Sequence, residues 1–273
     1  SVIEAIAEAD DVLMEKYLEG EELSADEINS GLKAGVLSRD IVPIFAAAAA
    51  TNTGSTELLD AITSLLPSPD DVEAPEVPAG TQANLIFKTS ADPFVGKLSY
   101  FRVYGATLNS NAQLWNANKG ESERIGQVYQ AAGKETSGVD SVTRGDIGVI
   151  SRLNHTQTFD TLCDKANEIK LGGVDLPTPV FALAVTPRGQ SDLDKMAESL
   201  SRMAEEDPTL EVERNADTSE TVLHGLGDIH VDLAIERIAR KFDVNLDTKL
   251  PSIPYRETIG GQTSVSYKHR KQS

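Results

Sequence analysis

The 273-residue chain is 40% hydrophobic, enough for real cores, yet no apolar run approaches the roughly 20 residues a membrane span needs. Its 43 acidic against 25 basic residues give a net charge of −18, which excludes a protein that grips nucleic acid over its whole surface, because phosphate binding needs excess Lys and Arg. The single cysteine, Cys163, excludes an internal disulfide, makes the cytoplasm the simplest compartment and, with no activating neighbour, reads as a buried structural thiol.

The chain opens on SVIEAIAEADDVLMEKYLEG, an acidic amphipathic helix that breaks near Gly20 and lacks the basic-then-apolar order of a secretory signal. With no initiator methionine, it reads as the middle of something longer. Ser24 and Glu27 form a capping box for a second helix expected to end near Gly35. Ile41, Val42, Ile44 and Phe45 have the pattern of a buried parallel strand, demoted by Pro43 to an edge or a strand end. After the loop Ala46 to Gly54, a helix carries Leu58, Leu59, Ile62, Leu65 and Leu66. One strand cannot make a sheet, so residues 1–66 are expected to be the C-terminal part of a larger α/β domain.

Residues 67–80, with four prolines in an acidic polar run, read as a linker. From 81 to 170 the pattern becomes short alternating runs, NLIFKTS, KLSYFRVYGATL, AQLWNAN, RIGQVYQ and DIGVISRL. Turn signals separate them at Asp92-Pro93, Leu108 to Asn111, Asn118 to Gly120 and Arg144 to Asp146. So many short strands imply a β-barrel, which removes exposed edges.

Residues 175–255 predict β-α-β-β-α-β, the split unit of ferredoxin-like domains. Strands are expected at 180–186, 210–214, 221–224 and 244–249. The first helix, 191–206, buries Leu193, Met196, Leu200 and Met203; the second, from Asp228, buries Val231, Ile235, Ile238 and Phe242. Asp228 suits an N-cap. The fold class is thus multidomain α+β: a partial α/β tail, a β-barrel and a ferredoxin-like domain.

Several stretches carry a resemblance. HGLGDIHVDLAIERIARKFDVNLDTKLPSIPYRETI and AEEDPTLEVE resemble the third domain of translation elongation factor G, a translational GTPase. PFVGKLSYFRVYGATLNSNAQLWN and GDIGVISRLNHTQTFDTLCD resemble its second domain. IVPIFAAAAATNTG is similar to the last strand and guanine-side loop of its GTPase domain, and residues 256–273 to the start of its fourth.

The resemblance implies a parent that binds GTP and Mg, engages the ribosome in the cytoplasm and drives translocation of tRNA and mRNA. It also implies that this part couples the GTPase domain to the distal ones. In the guanine-side loop Ala48 stands where the family usually has serine, so base contacts at Ala48 and Ala49 would fall to backbone amides. A paralogous or ribosome-protection factor of the same architecture is the first rival. A stand-alone RNA-binding module is the second, although the strands of the ferredoxin-like sheet offer only Phe181 as a stacking aromatic.

The chain contains neither a G-x-x-x-x-G-K-[ST] loop nor Asn-Lys-x-Asp, so it is not expected to hydrolyse GTP alone or to hold a cofactor. A monomer is expected. His224, Asp228, His230 and Asp232 suggest a metal site, but the two histidines flank a turn and need not converge; structural roles are expected. Trp115, Tyr100, Phe101 and Tyr104 read as barrel filling and ordinary surface rather than a stacking platform, and Gly120 and Gly126 as turn and barrel glycines. Lys97, Arg102, Lys119, Arg124, Lys134 and Arg144 are scattered, while Lys268 to Lys271 form the one basic cluster.

Overall fold

The computed structural model describes residues 2–92, 95–133 and 135–271, and of Ser191 only the backbone. Pro93 and Lys134, which the sequence places in a turn and among the barrel cations, lie outside them. The chain divides into two compact units, residues 1–75 and 76–273.

In the first unit the opening stretch is two helices, not one: α1 (Val2–Glu8) and α2 (Asp11–Glu19). Asp10 makes the break, its Oδ1 accepting from the Val12 and Leu13 amides at 2.9 and 3.1 Å. The capping box forms as expected. Ser24 Oγ accepts from the Glu27 amide at 3.3 Å, and Glu27 Oε2 accepts from the Ser24 amide at 2.9 Å. A third partner, Lys16, donates to Glu27, and the combined bonds hold the Glu27 carboxyl down at about 2.

Helix α3 (Ala25–Ser38) continues past Gly35 to a left-handed cap at Arg39. Gly35 is a point of close approach, not a terminator: a Cβ there would lie 2.5 Å from Ile41 Cδ1. The expected strand at 41–45 is absent. The segment joins no sheet, with Val42 79% and Ile44 93% exposed: no strand among the described residues pairs with it, and Pro43 has no amide to donate. Helix α4 (Ser55–Leu65) follows as predicted.

The second unit begins with the barrel. Its strands are β1 (Ala83–Asp92), β2 (Gly96–Val103), β3 (Leu108–Asn109), β4 (Gln113–Asn116), β5 (Glu121–Arg124), β6 (Val128–Ala132), β7 (Glu135–Val139), β8 (Ser141–Val142), β9 (Ile147–Ser151) and β10 (Thr161–Cys163). Eight pair in the order β5-β4-β10-β1-β2-β9-β6-β7, and β3 pairs with β8. The β3–β4 connection reaches the residues that follow both end strands, β5 and β7, through short backbone bonds from Asn111 to the Gly126 carbonyl and from Ser110 to that of Asp140, 2.9 and 2.8 Å.

Ile86, Phe101, Val103, Leu108, Ile125 and Ile150 centre one buried core. Register matters in β1. A bulge between Ile86 and Lys88 leaves Phe87 unpaired, so inward positions run Asn84, Ile86 before it and Thr89, Ala91 after it. At Gly148 a Cβ would strike the Phe101 ring at 2.5 Å; the glycine makes room for the largest core side chain.

One loop is held by a buried carboxylate. Glu123, 1% exposed, accepts from the His155 amide (2.6 Å), the Asn154 amide (3.3 Å) and the Thr156 hydroxyl (2.9 Å). Asn116 extends the network by donating to Thr156 Oγ1 and Asp160 Oδ2. With donors on both of its oxygens, the buried Glu123 side chain has its polar atoms satisfied inside the fold.

The third domain is β11 (Phe181–Pro187), α5 (Gln190–Glu206), β12 (Glu211–Arg214), β13 (Thr221–Gly225), α6 (Asp228–Phe242) and β14 (Leu246–Lys249). Strand order β12-β13-β11-β14, all antiparallel, is the ferredoxin-like arrangement the sequence predicts. Val185, Leu223 and Leu246 of the sheet meet Leu200, Met203, Val231 and Ile238 of the helices in a second core.

Candidate functional site

The turn from β13 into α6 carries the histidines and aspartates of the possible metal site. Gly225 must lack a side chain, since a Cβ would meet Val231 Cγ2 at 2.8 Å and His230 Nδ1 at 3.0 Å. Asp228 is not the N-cap. Gly227 occupies that position, and Asp228, one residue inside the helix, accepts from its neighbour Ile229 at 2.8 Å.

His230 instead reaches back past the cap: its Nδ1 accepts from the Leu226 N–H at 3.0 Å. A nitrogen that accepts carries no proton, so the ring is the Nε2–H tautomer and donates to Asp207 Oδ2 at 3.0 Å. Asp207 is the C-terminal cap residue of α5. One imidazole thus ties the end of α5 to the start of α6. Burial pushes the Asp207 carboxyl up, but bonds from Thr209 and His230 outweigh it and hold the group below its ordinary range.

His224 does not join this set. On β13 it faces Glu213 Oε2, 3.3 Å from Nε2 but not aligned as a hydrogen bond, while Asp232 is exposed. The four residues are dispersed over separate contacts. Sequence reasoning gave His230 only a generic polar role; its position third in the helix, where a side chain reaches back to the preceding amides, was the signal for more.

In the first unit, Ala46 to Ala50 are exposed. Ala48 and Thr53 exchange both backbone bonds, at 3.0 and 3.2 Å, as an isolated antiparallel bridge. Thr51 and Asn52 then donate to the carbonyls of Ala48 and Ala49 in a 3-10 turn. The Ala48 amide is therefore occupied within the loop, and Ala49 is the member of the pair whose amide lies outside that bridge. Gly54, in the left-handed region, closes the loop; a Cβ there would meet the Ala46 carbonyl at 2.8 Å.

On the barrel, Phe101 is fully buried, and the other three aromatics lie partly exposed, each beneath a cation. Lys88 Nζ stands 5.3 Å from the Tyr100 ring centre, Arg102 5.2 Å from Tyr104 and Lys165 4.2 Å from Trp115. Arg144 and Tyr104 line a hollow of about 150 Å³ with residues 77–80. Lys119 donates to Gln157 at 2.7 Å, Arg124 is exposed on β5, and Lys97 pairs with Glu205 of α5. Gly120 is a left-handed turn glycine between β4 and β5. Cys163 is buried, and desolvation raises its thiol, the environment of a structural cysteine.

Comparison with known proteins decides what carries these features. Residues 82–165 match the family model described as elongation factor G domain 2, and residues 176–250 that described as Elongation Factor G, domain III. The chain belongs to the elongation factor G family. The crystal structure of ttk003000868 from Thermus thermophilus is similar at 29% identity and a TM-score of 0.74, over 93% of this chain and 38% of that one. The chain thus spans well under half the length of the structure it matches. Within the elongation factor G framework, the His230 clasp belongs to domain III, and the cation-capped aromatics and buried Glu123 to domain 2. Among the described residues, no helix is long and apolar enough to cross a membrane.

Proposed function

We propose that the full-length protein is a GTP-dependent translocase of tRNA and mRNA on the ribosome, and that this stretch transmits nucleotide state from a GTPase domain to distal domains. The observation that carries the reading is the succession of two elongation factor G domains in family order along one chain. We place the boundaries at 1–66 for the end of the GTPase domain, 67–80 for the linker, 81–170 for the barrel, 175–255 for the ferredoxin-like domain and 256–273 for the start of the fourth. GTP and Mg belong to the parent, held largely by motifs this sequence lacks. Ala48 and Ala49 would flank the guanine through backbone alone, with the Ala49 amide the available donor.

The outward cations on Tyr100 and Tyr104, with Arg144, suit a phosphate backbone approaching the barrel, and small-subunit ribosomal RNA is the partner the family implies. Lys268 to Lys271, exposed at the far end, would serve the domain that follows. Such a protein works in the cytoplasm. The alanine-only loop favours one second reading, a paralogue that binds the ribosome but does another task.

A reconstituted translation system separates the two. Full-length protein that advances mRNA by one codon only with hydrolysable GTP supports the translocase. Ribosome-stimulated GTP hydrolysis without movement would leave the paralogue.

A further inference from the structure

The barrel and the third domain lie in one compact unit, yet their apolar cores share no residue. They meet where α5 runs beside β1. The helix side of that seam is polar: Glu198, Ser201, Arg202 and Glu205 recur at three, four and seven residues, one face of α5, and with Lys97 and Asn154 of the barrel, beside the buried Ala91 and Leu153, they line a cleft of about 400 Å³.

Lys97 Nζ lies 3.4 Å from Glu205 Oε2, with 15% of the lysine side chain and 38% of the glutamate side chain exposed. Among the described residues it is the ion pair that crosses the seam. Arg202 uses its guanidinium inside the third domain, on Glu198 one turn back and 5.9 Å from the Phe242 ring.

We propose that the Lys97–Glu205 pair is a releasable latch that holds the third domain in one orientation on the barrel, with the adjacent cleft as the space into which α5 rocks when the latch opens. An apolar seam would weld the two cores into one. A polar seam exchanges its contacts for water at small cost, as interfaces between mobile domains do. This deepens the coupling role proposed above, because a stretch that transmits orientation needs a joint with more than one position.

The test needs no ribosome, so its failure and failure of the translocase reading are distinguishable. Spin labels at Arg124→Cys on the barrel and Asp232→Cys on α6, both exposed, report the distance between domains, while buried Cys163 stays unlabelled. The expected result is a narrow distribution that broadens or shifts in K97E, in E205K and at molar salt, and narrows again when both charges are exchanged. Lys97→Gln, which keeps a neutral polar chain in place, is measured alongside and should broaden too. Unchanged distributions in both Lys97→Gln and E205K, or no restoration in the exchanged pair, would overturn the latch.

Discussion

The barrel and the N-terminal unit spend similar lengths of chain on opposite solutions. In the barrel, eleven buried residues form one core, Phe101 is fully covered, and even the inward carboxylate Glu123 has its donors. In residues 1–75, Ile6, Ala7, Leu13 and Leu65 are the buried apolar side chains, while Leu18, Val42, Ile44 and Leu59 stand in solvent. Identical hydrophobic chemistry therefore means different things: burial stabilises only where neighbouring elements supply the other wall. The barrel closes on itself, whereas the helices of the first unit present apolar faces that their own packing does not cover.

Mutations sharpen that contrast. Phe101→Ala, in the centre of the barrel core, should cost about 3–5 kcal/mol. The chain has one tryptophan, Trp115 on β4, so urea unfolding followed by its fluorescence reports the barrel directly. Glu123→Ala should follow at about 2–3 kcal/mol by leaving the Asn154 and His155 amides without an acceptor, and the loss should be smaller in Glu123→Gln.

The third domain has a full core of its own, and its polar bonds are tested at the ends of its helices. His230→Ala removes both the Leu226 and Asp207 bonds, at about 1–2 kcal/mol measured by the helix signal in thermal melts. It should also change the acid limb. Asp207 is held below its ordinary value in the fold, so its contribution is present above the unfolded carboxylate pKa, near 3.9, and is lost as pH falls through the lower folded value. Without His230 that loss should shrink. Glu220, held at about 2 by Lys249 and Ser252, behaves alike: its contribution is present above about 4.3 and fades as pH drops towards 2, more weakly in Glu220→Gln. Leu59→Ala, at an exposed position of α4, should stay within about 0.5 kcal/mol.

The difference between units also governs what the sequence disclosed. The third domain was legible because its helices bury regular stripes and its strands are bounded by turn residues, so element order and topology follow from periodicity. In the barrel the long alternating strands were legible, but β7, built of Glu135 to Val139 with an exposed run, carries no alternation to read. RIGQVYQ, expected as one strand, divides at Ile125 to Gln127 between β5 and β6. The bulge at Phe87 has no signature beyond the shifted phase it causes.

The 41–45 strand failed for the opposite reason: its apolar pattern is real, but pairing needs a partner that local sequence cannot supply. Asp228 is the first helical residue and Gly227 the cap, while His230 reaches back from inside the helix to the Leu226 amide. The Lys97–Glu205 pair, 108 residues apart in sequence, became visible only when the barrel and α5 were brought together.

Hydrogen exchange across the whole chain, read by mass spectrometry on peptides under native conditions, tests the central contrast most directly. Amides of β1, β2 and β9 in the barrel and of β11 and α6 in the third domain should exchange slowest, by at least about a hundredfold over those of α1 to α4. Equal protection of residues 2–66 and of the barrel would contradict the division between a self-sufficient core and an incompletely covered one.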